Sequence, residues 1–434
     1  MPPRAHLQAS TGGCKEPEPQ PATLFVAPAG SDAGDCSRQS PCRGFDRAYE
    51  VSKPGDVVEV AAGSYGRQQL YSAPGHDDGP DVLFRPAPGA DVVLEELSFG
   101  EGDDARTGPD RITVRGMSLL VRTIEPGAGS QAGIFVGGGA SHITLEQMDA
   151  GNIHVWKAEH VTVRGGDYGP CDAVWPYNEV CGTSKIDVSS DVTIDGARFH
   201  HYRFDETCFA DAADCHYECL YINGGTRVSV VNSSFRECAV FDIFATLSGA
   251  DAGTIGHREL TIANNAFAAP WMETPEGGTP TRSGSVALAW CENGPEIGYA
   301  DVRVAFNSFE ETTGIEVADP GSCVWKDVRV VGNLATFNGC VEDDDGIKPG
   351  WSYAYNVWTP GARAGTCAPT DETLAGGVLP YVRGIGSSGM DFHLDADSVA
   401  DDLVPAAAGC PDRDVDGQVR PAVGSTCDAG FDER

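Results

Sequence analysis

Eight short strands of one pattern recur along the chain: Ile112-Thr-Val114, Ile143-Thr-Leu145, Val161-Thr-Val163, Val192-Thr-Ile194, Val228-Ser-Val230, Leu260-Thr-Ile262, Val302-Arg-Val304 and Val328-Arg-Val330. In most copies an Asn or Gly follows within two residues, and a Phe, Leu or Tyr closes the turn. Downstream lies a second strand: Ile134-Phe-Val136, Ile153-His-Val155, Ile186-Asp-Val188, Leu220-Tyr-Ile222, Phe241-Asp-Ile243, Val286-Ala-Leu288 and Ile315-Glu-Val317. The unit returns every 18 to 42 residues, so loops of unequal length separate the regular pieces. One such unit cannot bury its own apolar face, whereas stacked units share a continuous core. Alternation sends the apolar residues into the coil and those between them outward. The Asn/Gly position suits a corner that needs left-handed backbone.

This pattern predicts an all-β chain, a right-handed parallel β-helix with long loop insertions. A propeller would need four strands per blade, and a leucine-rich solenoid far more leucine. Fifty-four glycines and 28 prolines agree with a turn-rich coil. One helical stretch is expected, from Arg43 to Lys53, with Phe45, Ala48 and Val51 on one side and Pro54-Gly55 ending it. It would cap the N-terminal end of the coil. Residues 1–22 read as a leader or tether, 23–400 as the β-helix, and 401–434 as a disulfide-linked tail packed on it.

Leu24-Phe-Val-Ala-Pro-Ala-Gly-Ser-Asp32, Ser40-Pro-Cys-Arg-Gly-Phe-Asp-Arg-Ala48 and Lys53-Pro-Gly-Asp-Val-Val-Glu-Val60 through Gly63-Ser-Tyr65 resemble the opening of secreted bacterial pectin-lyase-like β-helix proteins. Asp391-Phe-His-Leu394, Asp414-Val-Asp-Gly-Gln-Val-Arg420 and Cys427-Asp-Ala-Gly-Phe-Asp-Glu433 are similar to their tail. The resemblance covers nearly the whole chain. It implies the fold and a polysaccharide partner, but no single activity, since lyases, hydrolases, epimerases and unassigned proteins share this head and tail. The Asn-Thr-Asp, Gly-His-Gly and Arg-Ile-Lys set of polygalacturonases is missing, as are the Arg-x-Pro-x-x-Arg and Trp-x-Asp-His patterns of pectate lyases. No family catalytic set carries over.

The formal charge of −34 works against binding nucleic acid or anionic membranes. No stretch approaches the ~20 apolar residues of a membrane span, and a monomer is expected. Fifteen cysteines fall in near neighbours: Cys36/Cys42, Cys171/Cys181, Cys208/Cys215, Cys219/Cys238, Cys291/Cys323, Cys340/Cys367 and Cys410/Cys427, with Cys14 left over. Spacing does not fix connectivity, and Cys219 and Cys238 could equally exchange partners with Cys208 and Cys215. With no paired CxxC motif, disulfides and an extracellular or cell-surface location are the reading. Met1 to Ala22 lacks the apolar core of a signal peptide. Yet Ser10-Thr-Gly-Gly-Cys14 ends like a lipoprotein cleavage box, so a lipid anchor through Cys14 stands beside a free thiol in a leader.

In a β-helix, equivalent outward positions stack about 4.8 Å apart. The centres of the second strands give a ladder of Phe135, His154, Asp187, Tyr221, Asp242, Ala287 and Glu316, with Asn152, Lys157, Lys185 and Asn223 on the same face. The insertion from His200-His-Tyr-Arg-Phe-Asp-Glu206 to Asp214-Cys-His-Tyr-Glu218 would overhang this ladder. It adds His201, Arg203, His216 and Glu218, and Trp156, Trp175, Tyr177 and Tyr202 would flank the groove. Inserted loops on a repeat scaffold commonly carry binding surfaces.

Two mechanisms suit these residue types. In a lyase, Lys185, Arg203, His154 or Tyr221 takes the proton beside a uronate carboxylate while a cation or amide neutralises the developing charge. In an inverting hydrolase, Asp187 and Asp242 act as a carboxylate pair, about 9.6 Å apart by strand spacing, at the edge of the ~6.5–9.5 Å expected. β-Elimination at uronates is the preferred reading, with hydrolysis and a non-catalytic, glycan-binding or structural surface protein as alternatives. Asp412-x-Asp414-x-Asp416-Gly417 opens like a calcium loop, but Val423 stands where an EF-hand needs Glu. Those three aspartates are the candidate Ca²⁺ ligands, and no other cofactor is implied.

Overall fold

Strands this short gain stability by pairing, and here they pair in parallel, coil upon coil. The computed structural model describes residues 20–102, 107–120, 133–173, 182–204, 218–268, 286–292, 298–310, 314–317, 321–337, 339–344, 346–360, 365–374, 392–395, 398–414, 416–420 and 426–433. A continuous 30-stranded sheet winds through them as three parallel ladders. The protein is a parallel β-helix.

The first ladder contains all eight recurring strands in the expected order. Ile112 pairs with Ile143, Ile143 with Val161, Val161 with Val192, Val192 with Val228, and Val228 with Leu260. A second ladder of very short strands follows the corner, including Asp167–Tyr168, Ser234–Cys238 and Ala266–Ala268. The third ladder runs through Gly133–Val136, Asn152–Trp156, Ile243–Leu247, Val286–Cys291 and Ile315–Val317. Ser184–Asp195 and Leu220–Val231 pass through a corner and serve both the third and the first ladder.

The anticipated corner is left-handed, as at Gly196 with φ 71° and Asn264 with φ 56°. A second left-handed column lies near the start of the first-ladder strands: His142, His160, Asp191, Arg227, Glu259, Asp301 and Asp327, with φ between 53° and 57°. Each costs roughly 1 kcal/mol for a residue bearing Cβ, offset by the ladder bonds on either side.

Inside the coil, equivalent residues stack. Tyr168, Phe199, Phe235, Phe267 and Phe309 form a ring column with centroids 4.6–5.2 Å apart. At the corner, buried Asn265, Asn307, Asn333 and Asn356 form an amide ladder. The backbone N–H of Asn265 donates to Asn307 Oδ1 at 3.0 Å, that of Asn307 to Asn333 at 3.1 Å, and that of Asn333 to Asn356 at 3.0 Å. The column ends on Asp371 Oδ1, which accepts from the Asn356 backbone at 3.0 Å. Every buried amide in it is thereby partnered.

The expected helix forms over Phe45–Val51, where Phe45, Ala48 and Tyr49 are buried rather than Val51. Phe45 stacks on Phe84 at 5.2 Å. Five disulfides follow the near-neighbour scheme: Cys36–Cys42, Cys219–Cys238, Cys291–Cys323, Cys340–Cys367 and Cys410–Cys427. Cys171 is also disulfide-bonded, while Cys14, Cys181, Cys208 and Cys215 lie outside the described residues. Such bonds belong to an oxidising compartment. Among the described residues, no helix is long and apolar enough to cross a membrane. The tail packs on the coil: Phe392, Leu394, Val404 and Phe431 share a buried cluster with Ala263, Phe306, Leu334 and Val357. Arg420, fully buried, lies over the Phe306 ring and donates to the carbonyls of Asp428 and Gly430 and to Asn264 Oδ1.

His257 heads an inner column with Tyr299, Trp325 and Trp351. Its Nε2 donates to the Thr246 carbonyl at 2.8 Å, which leaves the proton-free Nδ1 buried without a hydrogen-bond partner. Burial lowers its pKa to about 4, against the partial opposition of that bond. The folded state therefore keeps this ring neutral while the unfolded chain protonates it. Its stabilising effect is full above pH 6.5, the ordinary value of a free imidazole, and is lost as pH falls towards about 4. Comparing unfolding of the wild type and His257→Gln from pH 7.5 to 4 should show the wild type losing about 3 kcal/mol relative to the variant on the acid side.

Candidate functional site

Outward residues of the third ladder come together in two parallel columns. His154 pairs with Lys185, Lys185 with Tyr221, and Tyr221 with Phe244. Beside them Trp156 pairs with Asp187, Asp187 with Asn223, and Asn223 with Thr246. This register differs by two residues from the predicted one, in which Asp187 followed His154. Val155, not Ile153, pairs with Ile186. Lys185 therefore occupies the place expected for Asp187, while Asp187 reaches His154 diagonally.

That diagonal is a hydrogen bond, His154 Nε2 to Asp187 Oδ2 at 3.0 Å, between side chains 26% and 17% exposed. Nε2–H donates to the carboxylate, which selects the tautomer of the neutral ring that has its lone pair on Nδ1. Trp156 lies parallel to the imidazole at 6.1 Å, and Phe135 meets it edge-on at 5.5 Å. Lys185 Nζ sits 5.8 Å from the Tyr221 ring centroid. Burial raises the Tyr221 pKa to about 12; a hydrogen bond with the Ser248 side chain opposes this, while the charges of Asp187, Glu218 and Glu292 add to it. The phenol is thus protonated throughout the neutral range.

Two adjoining hollows open over these columns. One, of ≈ 420 Å³, is lined by residues including Lys185, Glu218, Tyr221, Phe244 and Trp290. The other, of ≈ 520 Å³, is lined by residues including His154, Trp156, Lys157, Asp187 and Asn223. Ser248 lines both. It is clipped in place by Asn223, whose Oδ1 accepts from the Ser248 N–H at 2.8 Å and whose Nδ2 donates to its carbonyl at 3.2 Å. The short helix Ala250–Ile255 then walls the second hollow, and its Asp251 pairs with Lys157 at 2.9 Å.

Several predicted residues stand elsewhere. Asp242 is fully buried, at the entry to the strand Ile243–Leu247, and its carbonyl accepts from Leu220 N–H. The Asp187/Asp242 pair therefore does not face one groove, which removes the geometric basis for an inverting hydrolase built on it. Tyr202 is a core residue whose hydroxyl donates to the Gly151 carbonyl at 2.8 Å. His201 faces Glu237, at 3.4 Å, on the second-ladder side. The strand Arg198–Phe204 pairs Arg203 with Asp172, but the Arg203 side chain, His216, Trp175 and Tyr177 lie outside the described residues. Trp290, Ser248 and Glu292 complete the groove and were missed, because no periodic signal marks the end of the strand Val286–Cys291 or the turn after Leu247. In the tail, Asp412 is exposed, and Asp414 Oδ1 accepts from Asp416 and Gln418 N–H.

No family model matches the chain. An uncharacterized protein of Bacillus subtilis (strain 168), YwoF, is 24% identical over 145 residues, 30% of this chain, and the match spans 31% of that protein's length. Among solved structures, XylC in complex with xylose shares 9% identity with a TM-score of 0.47, over 94% of this chain and 98% of that one. PfbA, a surface adhesin of Streptococcus pneumoniae, shares 14% identity with a TM-score of 0.44, over 70% and 78% respectively. The pectate lyase Pel9A shares 14% identity with a TM-score of 0.37, over 95% and 96%.

Because Asn223 holds Ser248 through both halves of its amide, Asn223→Ala should release the turn and the helix behind it. Hydrogen exchange should accelerate across residues 247–256 while the first-ladder strands keep their protection; unchanged exchange there would show that the turn is held by other contacts.

Proposed function

We propose that the chain is an exported enzyme that binds a polysaccharide along the third ladder and cleaves it by β-elimination at a uronate residue. The observation that carries this reading is the His154–Asp187 pair beside Lys185 and Tyr221 on a solvent-open face bordered by Trp156 and Trp290. His154 Nδ1 takes the proton from the carbon next to the uronate carboxylate. The electron pair left behind forms the carbon–carbon double bond as the glycosidic C–O bond breaks. Tyr221, kept protonated by burial, gives its proton to the departing oxygen. Lys185 offsets the charge that builds on the carboxylate, and Asp187 orients the base and stabilises the imidazolium. The tryptophans supply flat apolar faces for sugar rings. Five disulfides support export.

A second reading rests on local charge. Asp187, Glu218, Asp251 and Glu292 outnumber Lys157 and Lys185 around the two hollows, which favours an uncharged glycan and carboxylate-driven hydrolysis. A panel of uronate and neutral polysaccharides separates the readings. Ultraviolet-absorbing unsaturated ends are expected from a uronate polymer, with His154→Ala and Lys185→Ala each lowering kcat/KM by about 10²–10⁴-fold. New reducing ends without unsaturation would instead establish hydrolysis. Saturable binding with neither product would make the protein a surface glycan binder.

A further inference from the structure

Away from the groove, the tail gathers a second set of polar side chains from three separate segments. His393 Nε2 lies 2.8 Å from Asp416 Oδ2 and 4.0 Å from Asp432 Oδ1. The ligand-type atoms of His393, Asp416 and Asp432 all lie within 4.8 Å of one another. Asp416 comes from the turn after Asp414, Asp432 from the segment 426–433, and His393 from the segment 392–395.

Two buried carboxylate oxygens at this place have no hydrogen-bond partner. The Asp432 side chain is 3% exposed; its Oδ2 accepts from Leu394 N–H at 2.9 Å, while Oδ1, the atom facing His393, accepts nothing. Asp414 is 5% exposed, and its Oδ2 is likewise unpartnered although Oδ1 takes two backbone N–H groups. A buried carboxylate oxygen left without a donor is desolvated without compensation, and three carboxylates in one corner add mutual repulsion. The buried Arg420 directs its two Nη groups at carbonyls, at Asn264 and, at 3.7 Å, at Glu433.

We propose that His393, Asp416 and Asp432, with Asp414 beside them, hold a divalent transition ion of the zinc class that fastens the tail to the coil. Bonds of about 2.0–2.2 Å in a tetrahedral site put ligand atoms roughly 3.3 Å apart, and the separations of 2.8 and 4.0 Å bracket that value. The imidazole decides against calcium, which takes six to eight oxygen ligands. The side chains of His393 and Asp416, 43% and 50% exposed, leave the site open for entry. The ion would join the turn at Asp416 to the C-terminal residues, where Phe431 and Arg420 already pack on the coil.

The test uses the full chain, stripped with a chelator and titrated calorimetrically with Zn²⁺, Mn²⁺ and Ca²⁺, with thermal unfolding in parallel. One saturable Zn²⁺ per chain and a raised Tm are expected. His393→Ala and Asp416→Asn, both at partly exposed positions, should each weaken binding at least about 10-fold, because loss of even an outer partner does as much. Asp432→Asn should abolish the Tm rise, with circular dichroism confirming that the fold persists. Zn²⁺ binding that survives the His393→Ala and Asp416→Asn substitutions, or no saturable binding in the wild type, would overturn the site. Ca²⁺ binding lost in Asp416→Asn but kept in His393→Ala would overturn the choice of ion.

Discussion

In-register parallel pairing from coil to coil is the constraint on which everything else in this molecule rests. Once Val161 sits beside Val192 and Val192 beside Val228, every other position in the coil meets its counterpart one strand away. Inside, like must then pack on like. Flat rings tolerate this well, and the Tyr168–Phe309 column uses offset stacking at about the strand spacing. Buried amides tolerate it because each Asn both donates to and accepts from its neighbours, so a polar column crosses the core from Asn265 to Asp371 without an orphaned group.

The same pairing assembles the groove. His154, Lys185 and Tyr221 are far apart in sequence, yet they stand on three successive strands because their coils are stacked. Strand pairing sets their spacing, and the variable loops set what surrounds them. The turn at Ser248 and the helix Ala250–Ile255 close one side without disturbing the ladder beneath. The positions of the groove residues are thus a property of the backbone register, and the groove's wall a property of the insertions.

The first ladder was fully legible because Val-Thr-Val and its variants recur in one frame and an Asn or Gly fixes the corner. The third ladder was legible as strands but not in register. Sliding Ile186-Asp-Val188 by two residues against Ile153-His-Val155 keeps every apolar residue inside, so alternation cannot detect the shift, whereas a slip of one would turn the pattern inside out. The corner at Val188, with φ 49°, decides the matter, and a β-branched residue gives no hint of left-handed backbone. The same limit hid the His142–Asp327 column of left-handed residues, where coil geometry rather than glycine imposes the conformation. His154, Lys185, Asp187, Tyr221, Trp156 and Asn223, named from the sequence, line the two hollows; Asp242 was misplaced because Leu220 pairs with Ile243 rather than Phe241, again a shift of two residues.

The buried contact between tail and coil has a mechanical consequence. A solenoid whose turns touch only their neighbours can open one turn at a time, like a spring pulled from its end. Residues of the tail, through Phe431, Leu394 and Val404, press on Ala263, Phe306, Leu334 and Val357, which belong to four successive turns. The tail is therefore a splint laid across the winding. Axial load on this part of the molecule must shear several turns together, while the turns bearing His154 and Lys185 lie outside the cluster that the tail shares with the coil.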